Sequence, residues 1–183
     1  MDVVRTRHDD ALKLIERQVT ASAGDNKDRV ELRVNQTVPS LPGPALRPDL
    51  QVYNHTKRTV SVVDLAIAFE EQTGDDPDTS SLTRIAALKR TKYAGIKRHL
   101  EHQGWTVQLS ALVYGSLGAV AGGNLAVYTE HLGMLKCDAK RLDRHAPATK
   151  ETKRIKRIKS VKTKLKGQSS DGDRGNPSHN GHR

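Results

Sequence analysis

An aspartate set inside an apolar run limits what this chain can fold into. The run Val60-Ser61-Val62-Val63 leads into Asp64, and Leu65-Ala66-Ile67-Ala68-Phe69 follows it, so a carboxylate has apolar neighbours on both sides of a β-rich segment. A buried carboxylate with no partner costs several kcal/mol. Just upstream lies a second short run, Leu50-Gln51-Val52-Tyr53, with Asp49 at its head behind Pro48. The polar break Asn54-His55-Thr56-Lys57-Arg58 between the runs reads as the turn of a hairpin. Two acids on adjacent strands sharing a divalent metal would account for Asp64.

The chain of 183 residues is long enough for one domain with a core. Apolar content of 35% and aromatic content of 3% are low, so part of it is expected to stand outside that core. Charge is placed unevenly. Lys150 to Lys166 holds nine Lys or Arg against one acid, a net +8 of the chain's +10, which marks an appended contact for polyanions rather than a property of the fold. A single cysteine, Cys137, excludes an intrachain disulfide and a Cys-based zinc site. No apolar run approaches the roughly 20 residues of a membrane span, and a start charged from Arg5 onward is unlike a secretory signal. An intracellular protein is expected.

Helical spacing of Ala11, Leu12, Ile15 and Val19 predicts an amphipathic helix over Asp2 to Ala23. Alternation of Val30, Leu32 and Val34 with polar residues predicts a strand. After the hairpin, Ser80 or Ser81 is placed to cap one helix from about Leu82 to Gln103, stopped by Gly104. Trp105 to Ala119 returns as a strand, and two short helices follow, broken near Gly133. The order implies an α/β (α+β) fold, a mixed sheet with helices on its faces. The expected divisions are a domain over 1–146, a basic and helical tail over 147–166, and a disordered C-terminus over 167–183.

Convergent Asp49 and Asp64 would suit Mg²⁺ or Mn²⁺, a hard cation that keeps several waters. Such an ion activates water and stabilises a leaving oxygen. Lys89 is the candidate to position water, with Tyr93 one turn later facing the same way. Blander readings stand beside these. Asp49 also reads as a turn acid next to a strand-edge proline, Lys89 and Tyr93 as a solvated lysine and a half-buried tyrosine, and His8 as a polar first-turn residue.

Six segments then occur in one order: RHDDALKLI from Arg7, RPDL from Arg47, VSVVDLAIAFE from Val60, KRTKY from Lys89, GWTVQLSALVYGSLGA from Gly104 and LGMLKCDAKRLDRH from Leu132. This ordered set resembles the restriction-like endonuclease domain at the C-terminal end of site-specific non-LTR retrotransposon polyproteins, a branch of the PD-(D/E)xK superfamily. In most of that superfamily a lysine stands two residues after the second acid, where this chain has Ala66. The retrotransposon branch instead takes it from the next helix in a Lys-x-x-x-Tyr pattern, which Lys89 and Tyr93 match.

The resemblance implies metal binding by Asp49 and Asp64, water positioning by Lys89, support from Tyr93, and a site-adjacent or DNA-contacting place for Arg7, His8 and Arg47. It implies nicking of target DNA in the nucleus, leaving a 3′-OH that primes reverse transcription, with the element's RNA as a further partner. The reverse transcriptase and zinc knuckle that precede such domains are not in this sequence, so a solo fragment is expected. The competing reading is a non-catalytic nucleic-acid-binding remnant. Its affinity would come from Lys153, Arg154, Lys156, Arg157, Lys159, Lys162, Lys164 and Lys166, which read equally as a solvated helix or a nuclear-localisation signal.

Overall fold

Among the described residues, each periodic segment forms the element its pattern predicts, with one exception. The structure, a computed structural model, describes residues 3–24, 29–43, 45–69 and 80–146. The basic tail and the C-terminus lie outside the described residues. Helix α1 (Val3–Ser22) is followed by strands β1 (Val30–Val34), β2 (Leu50–Asn54) and β3 (Thr59–Ala68). Helices α2 (Ser81–Lys92) and α3 (Ala94–His102) lead to β4 (Thr106–Gly115). A short helix α4 (Asn124–Ala126) runs into a π-helical turn (Val127–His131), and α5 (Lys136–His145) comes last.

The four strands form one mixed sheet in the order β1-β2-β3-β4. β1 and β3 run antiparallel to β2, and β4 runs parallel to β3 over ten pairs, from Thr59↔Thr106 to Ala68↔Gly115. A parallel neighbour requires a crossover, which α2 and α3 supply. The β2–β3 turn is closed by Asn54, whose Oδ1 accepts from the Lys57 amide at 2.9 Å. Arg58 leaves it at φ 53°, and its guanidinium lies 4.3 Å from the Trp105 ring centroid.

Alternation along β3 sends its side chains to two cores. Val63 and Leu65 pack with Ala11, Leu12 and Ile15 of α1 and with Tyr128, Leu132 and Leu142. Val60 and Val62 meet Tyr93, Ile96 and Leu100 on the other face, and Ala66 and Ala68 meet Leu82 there. Asp64 belongs to this second face.

The exception is the single helix expected over Leu82–Gln103. Two helices meet at Tyr93, which caps both at φ −99°, ψ 9°. α2 packs on the small residues Ala66, Ala68 and Ala111, whereas α3 packs on the bulkier Tyr53, Val60 and Val107. One straight helix cannot follow a twisted sheet across both patches. The Thr91 hydroxyl also donates back to the Ala87 carbonyl at 3.1 Å, a bond that bends helices. Of the two capping serines, Ser80 performs the role, its Oγ accepting from the Thr83 amide at 3.2 Å.

Candidate active site

Asp49 and Asp64 are brought together by strand register. The last β2–β3 pair is Leu50↔Val63, so one further step along both strands puts Asp49 opposite Asp64. The ladder ends there, because Asp49 takes the next donor with its side chain: its Oδ2 accepts from the Leu65 amide at 2.6 Å. The strands part, and β3 continues beside β4 alone. A cleft of about 540 Å³ opens at this fork, lined by both acids and by Arg5, His8, Arg47, Lys89, Lys92 and Tyr93.

Asp64 is gripped by two side chains from the crossover. Its side chain is 4% exposed, and Lys89 Nζ lies 2.5 Å from Oδ2. That contact is an ion pair without an aligned hydrogen bond, since Oδ2 has no partner of hydrogen-bonding geometry. The Tyr93 hydroxyl donates to Oδ1 at 2.6 Å, and Lys92 Nζ donates to that hydroxyl at 2.9 Å. Burial, together with donation to Asp64, pushes the Tyr93 phenol far above its ordinary value, so it stays a neutral donor. Breaking the helix at Tyr93 is what turns this ring inward beside Arg47, whose carbonyl lies 3.2 Å from the same hydroxyl.

His8 reaches the site from α1, with Nε2 3.3 Å from Asp49 Oδ2 and Nδ1 3.2 Å from Asp9. The bond to Asp49 raises the imidazole above its usual value against the opposing effect of burial. Arg7, one residue earlier, does not line the cleft. It is 5% exposed and spends its guanidinium on the carbonyls of Gly115 and Ser116, tying α1 to the end of β4. Its place is to set the height at which His8 enters, and a direct contact to DNA does not fit that burial. The lysines and arginines assigned to the tail fall outside the described residues.

Arg5, Lys92 and Phe69 line the cleft without having been singled out from the sequence. Lys92 carried a signal, being three residues after Lys89 and so on the same side of a helix. Arg5 and Phe69 carried none, since they depend on where α1 docks and where β3 ends.

The donor set fits a hard cation. Two carboxylates converge from a polar fork, no cysteine is near, and among the described residues no group of three or more His, Cys, Asp or Glu forms a fuller cage. An ion held by Asp49 and Asp64 would keep most of its shell as water or substrate oxygen, a regime that Mg²⁺ accepts.

Fold and cleft together define an α/β protein with a carboxylate pair, a lysine and a tyrosine at the fork of a mixed sheet. No protein-family model matches the chain, and no curated protein sequence does. Among solved structures it is similar to an N-terminal domain of a reptarenavirus L protein, with a TM-score of 0.34 and 14% identity over 79% of this chain and 70% of that one. A likeness at that level carries no argument.

Proposed function

We propose that this protein is a metal-dependent DNA endonuclease of the restriction-like kind, and that it derives from a non-LTR retrotransposon whose target DNA it nicks. One observation carries the reading: Asp64, buried in the middle of a strand, meets Lys89 and Tyr93 at the wall of an open cleft that Asp49 shares. A buried ion pair is weak evidence of stability, because apolar residues of similar volume do as well or better. A pair kept for packing would be closed over. This one faces an open cleft whose lining beyond the acid pair also carries Arg5, Arg47 and Lys92.

Asp49 and Asp64 would hold Mg²⁺ or Mn²⁺, which when bound polarises a phosphoryl oxygen and lowers the pKa of its water. Tyr93 fixes the rotamer of Asp64 by donating to Oδ1. Lys89, which lies beside Asp64, would orient the attacking water and offset charge on the phosphoryl group. Arg5, Arg47 and Lys92 give the cleft a positive rim for the phosphodiester backbone.

The test is nicking of supercoiled plasmid in Mg²⁺ or Mn²⁺ by the wild type, Asp64→Ala and Asp64→Asn, with folding of each checked by circular dichroism. Metal-dependent nicking that disappears in both folded variants supports the reading. Nicking that survives them, or a folded wild type that binds plasmid and never nicks it, overturns it.

A further inference from the structure

The C-terminal end of the parallel β3–β4 pair carries an apolar rim that neither the fold nor the acid pair explains. Phe69, the only phenylalanine of the chain, is 76% exposed, and Leu117 in the turn after β4 is 74% exposed. Both follow strand ends that lie in register: Ala68 pairs with Gly115, and the Ser116 amide donates to the Ala68 carbonyl at 2.6 Å. Val4, 40% exposed, joins them from α1, which Arg7 ties to Gly115 and Ser116. Ser81 Oγ donates to the Phe69 carbonyl at 3.2 Å, so the backbone under the ring is anchored to α2.

Phe69 and Val4 line the same cleft as Asp64, and Arg5 and Arg47 line it too with no ion-pair partner among the described residues. A cleft with an acid centre, guanidinium groups along its wall and an exposed ring at one end matches a ligand that offers phosphates and a flat apolar face. A nucleic-acid strand with an unstacked base offers both; a closed duplex offers phosphates and hides its base faces. Phe69 lies five residue steps beyond Asp64, about 16 Å of strand, or about five steps of stacked duplex.

Resting on the nuclease reading of this cleft, we propose that Phe69, with Leu117 on the neighbouring strand end, is an apolar wedge that stacks on an unpaired base about five nucleotides from the scissile phosphate. The preferred substrate is then DNA that is single-stranded or locally opened within about five nucleotides of the cut. Stacking on an aromatic side chain tolerates any base. The wedge therefore selects for opening and not for sequence.

The experiment compares one labelled oligonucleotide duplex, fully paired, with the same duplex carrying a five-nucleotide bubble. The full chain, Phe69→Ala, Phe69→Trp and Leu117→Ala are each assayed for nicking in Mn²⁺. Binding is followed without metal in an Asp64→Asn background by quenching of 2-aminopurine placed in the bubble. The expected ratio of bubble to paired duplex is about tenfold, falling to near one in Phe69→Ala whatever the absolute rate, and kept by Phe69→Trp. Equal nicking of both substrates by the wild type overturns the wedge and leaves the nuclease standing. A preference that persists in Phe69→Ala also overturns it. No nicking of either substrate, with quenching that needs the ring, removes the nuclease and keeps the wedge.

Discussion

Lys89→Met separates a catalytic Asp64–Lys89 pair from one that only packs. Methionine keeps the length and apolar stem of lysine and removes the charge 2.5 Å from Asp64 Oδ2. Breaking a fully buried pair costs about 3–5 kcal/mol, because the remaining charge has nowhere to go. Lys89 is 31% exposed at the wall of an open cleft, so water can reach Asp64, and Tyr93 still donates to Oδ1. Those two effects reduce the expected loss to about 1–3 kcal/mol. For a domain of this size that is a fall of about 3–10 °C in Tm. The neutral double variant Asp64→Asn with Lys89→Met should recover most of the loss, as the two sites interact directly.

Divalent metal gives the decisive arm. An ion entering the cleft of Lys89→Met no longer displaces an ammonium, so about 10 mM Mg²⁺ should raise its Tm more than that of the wild type. It should leave Asp64→Asn unmoved. Differential scanning fluorimetry with and without Mg²⁺, run beside the nicking assay, reads each of these effects. If Lys89→Met keeps wild-type stability, Asp64 is solvated and the electrostatic argument is wrong. If it also nicks at the wild-type rate, Lys89 has no part in the chemistry.

Two further expectations concern other parts of the chain. Burial pushes the Asp143 carboxyl up to about 6, against a hydrogen bond with Asn124, and its Oδ1 has no partner. A folded-state value above the unfolded one gives stability that is full below about pH 4 and lost as pH rises through about 6. Asp143→Asn should therefore raise stability by about 1–2 kcal/mol at neutral pH, and by little near pH 4, in parallel thermal melts. Deleting Lys150 to Lys166 should weaken DNA binding and shallow the salt dependence, by about 0.9 in slope for each phosphate that the tail no longer neutralises, while the cleavage products stay the same. An unchanged slope in salt titrations would remove the tail from the interface.

The strands and the acid pair were legible because they depend on local pattern. Alternation in Val30–Val34, the β-rich runs on either side of Asn54–Arg58, and the parallel return after Gly104 follow from period and turn chemistry. Register then does the rest, since closing that hairpin leaves Asp49 across from Asp64. The break at Tyr93 was hidden because no proline stands near it, and Gly95, two residues on, is a residue that helices tolerate. It is imposed from outside, by alanines under α2 and larger side chains under α3. Arg7 was hidden for the same kind of reason: an arginine near a helix start looks solvated until the carbonyls of Gly115 and Ser116, over a hundred residues away, close on it.

Those alanines also bear on how a lysine from a helix reaches Asp64. Position 66 lies on the same face of β3 as Asp64, the place from which a lysine two residues downstream would reach the carboxylate. In this chain Ala66 is 8% exposed and packs with Ala68, Ala111 and Leu82. These small side chains let α2 approach until Lys89 meets Asp64. The same close approach seats Tyr93 on Asp64 and brings Lys92 to its hydroxyl. Spacing along the strand alone does not show this contact; Lys89 and Tyr93 join Asp64 only when the face of the sheet is read together with the helix that covers it.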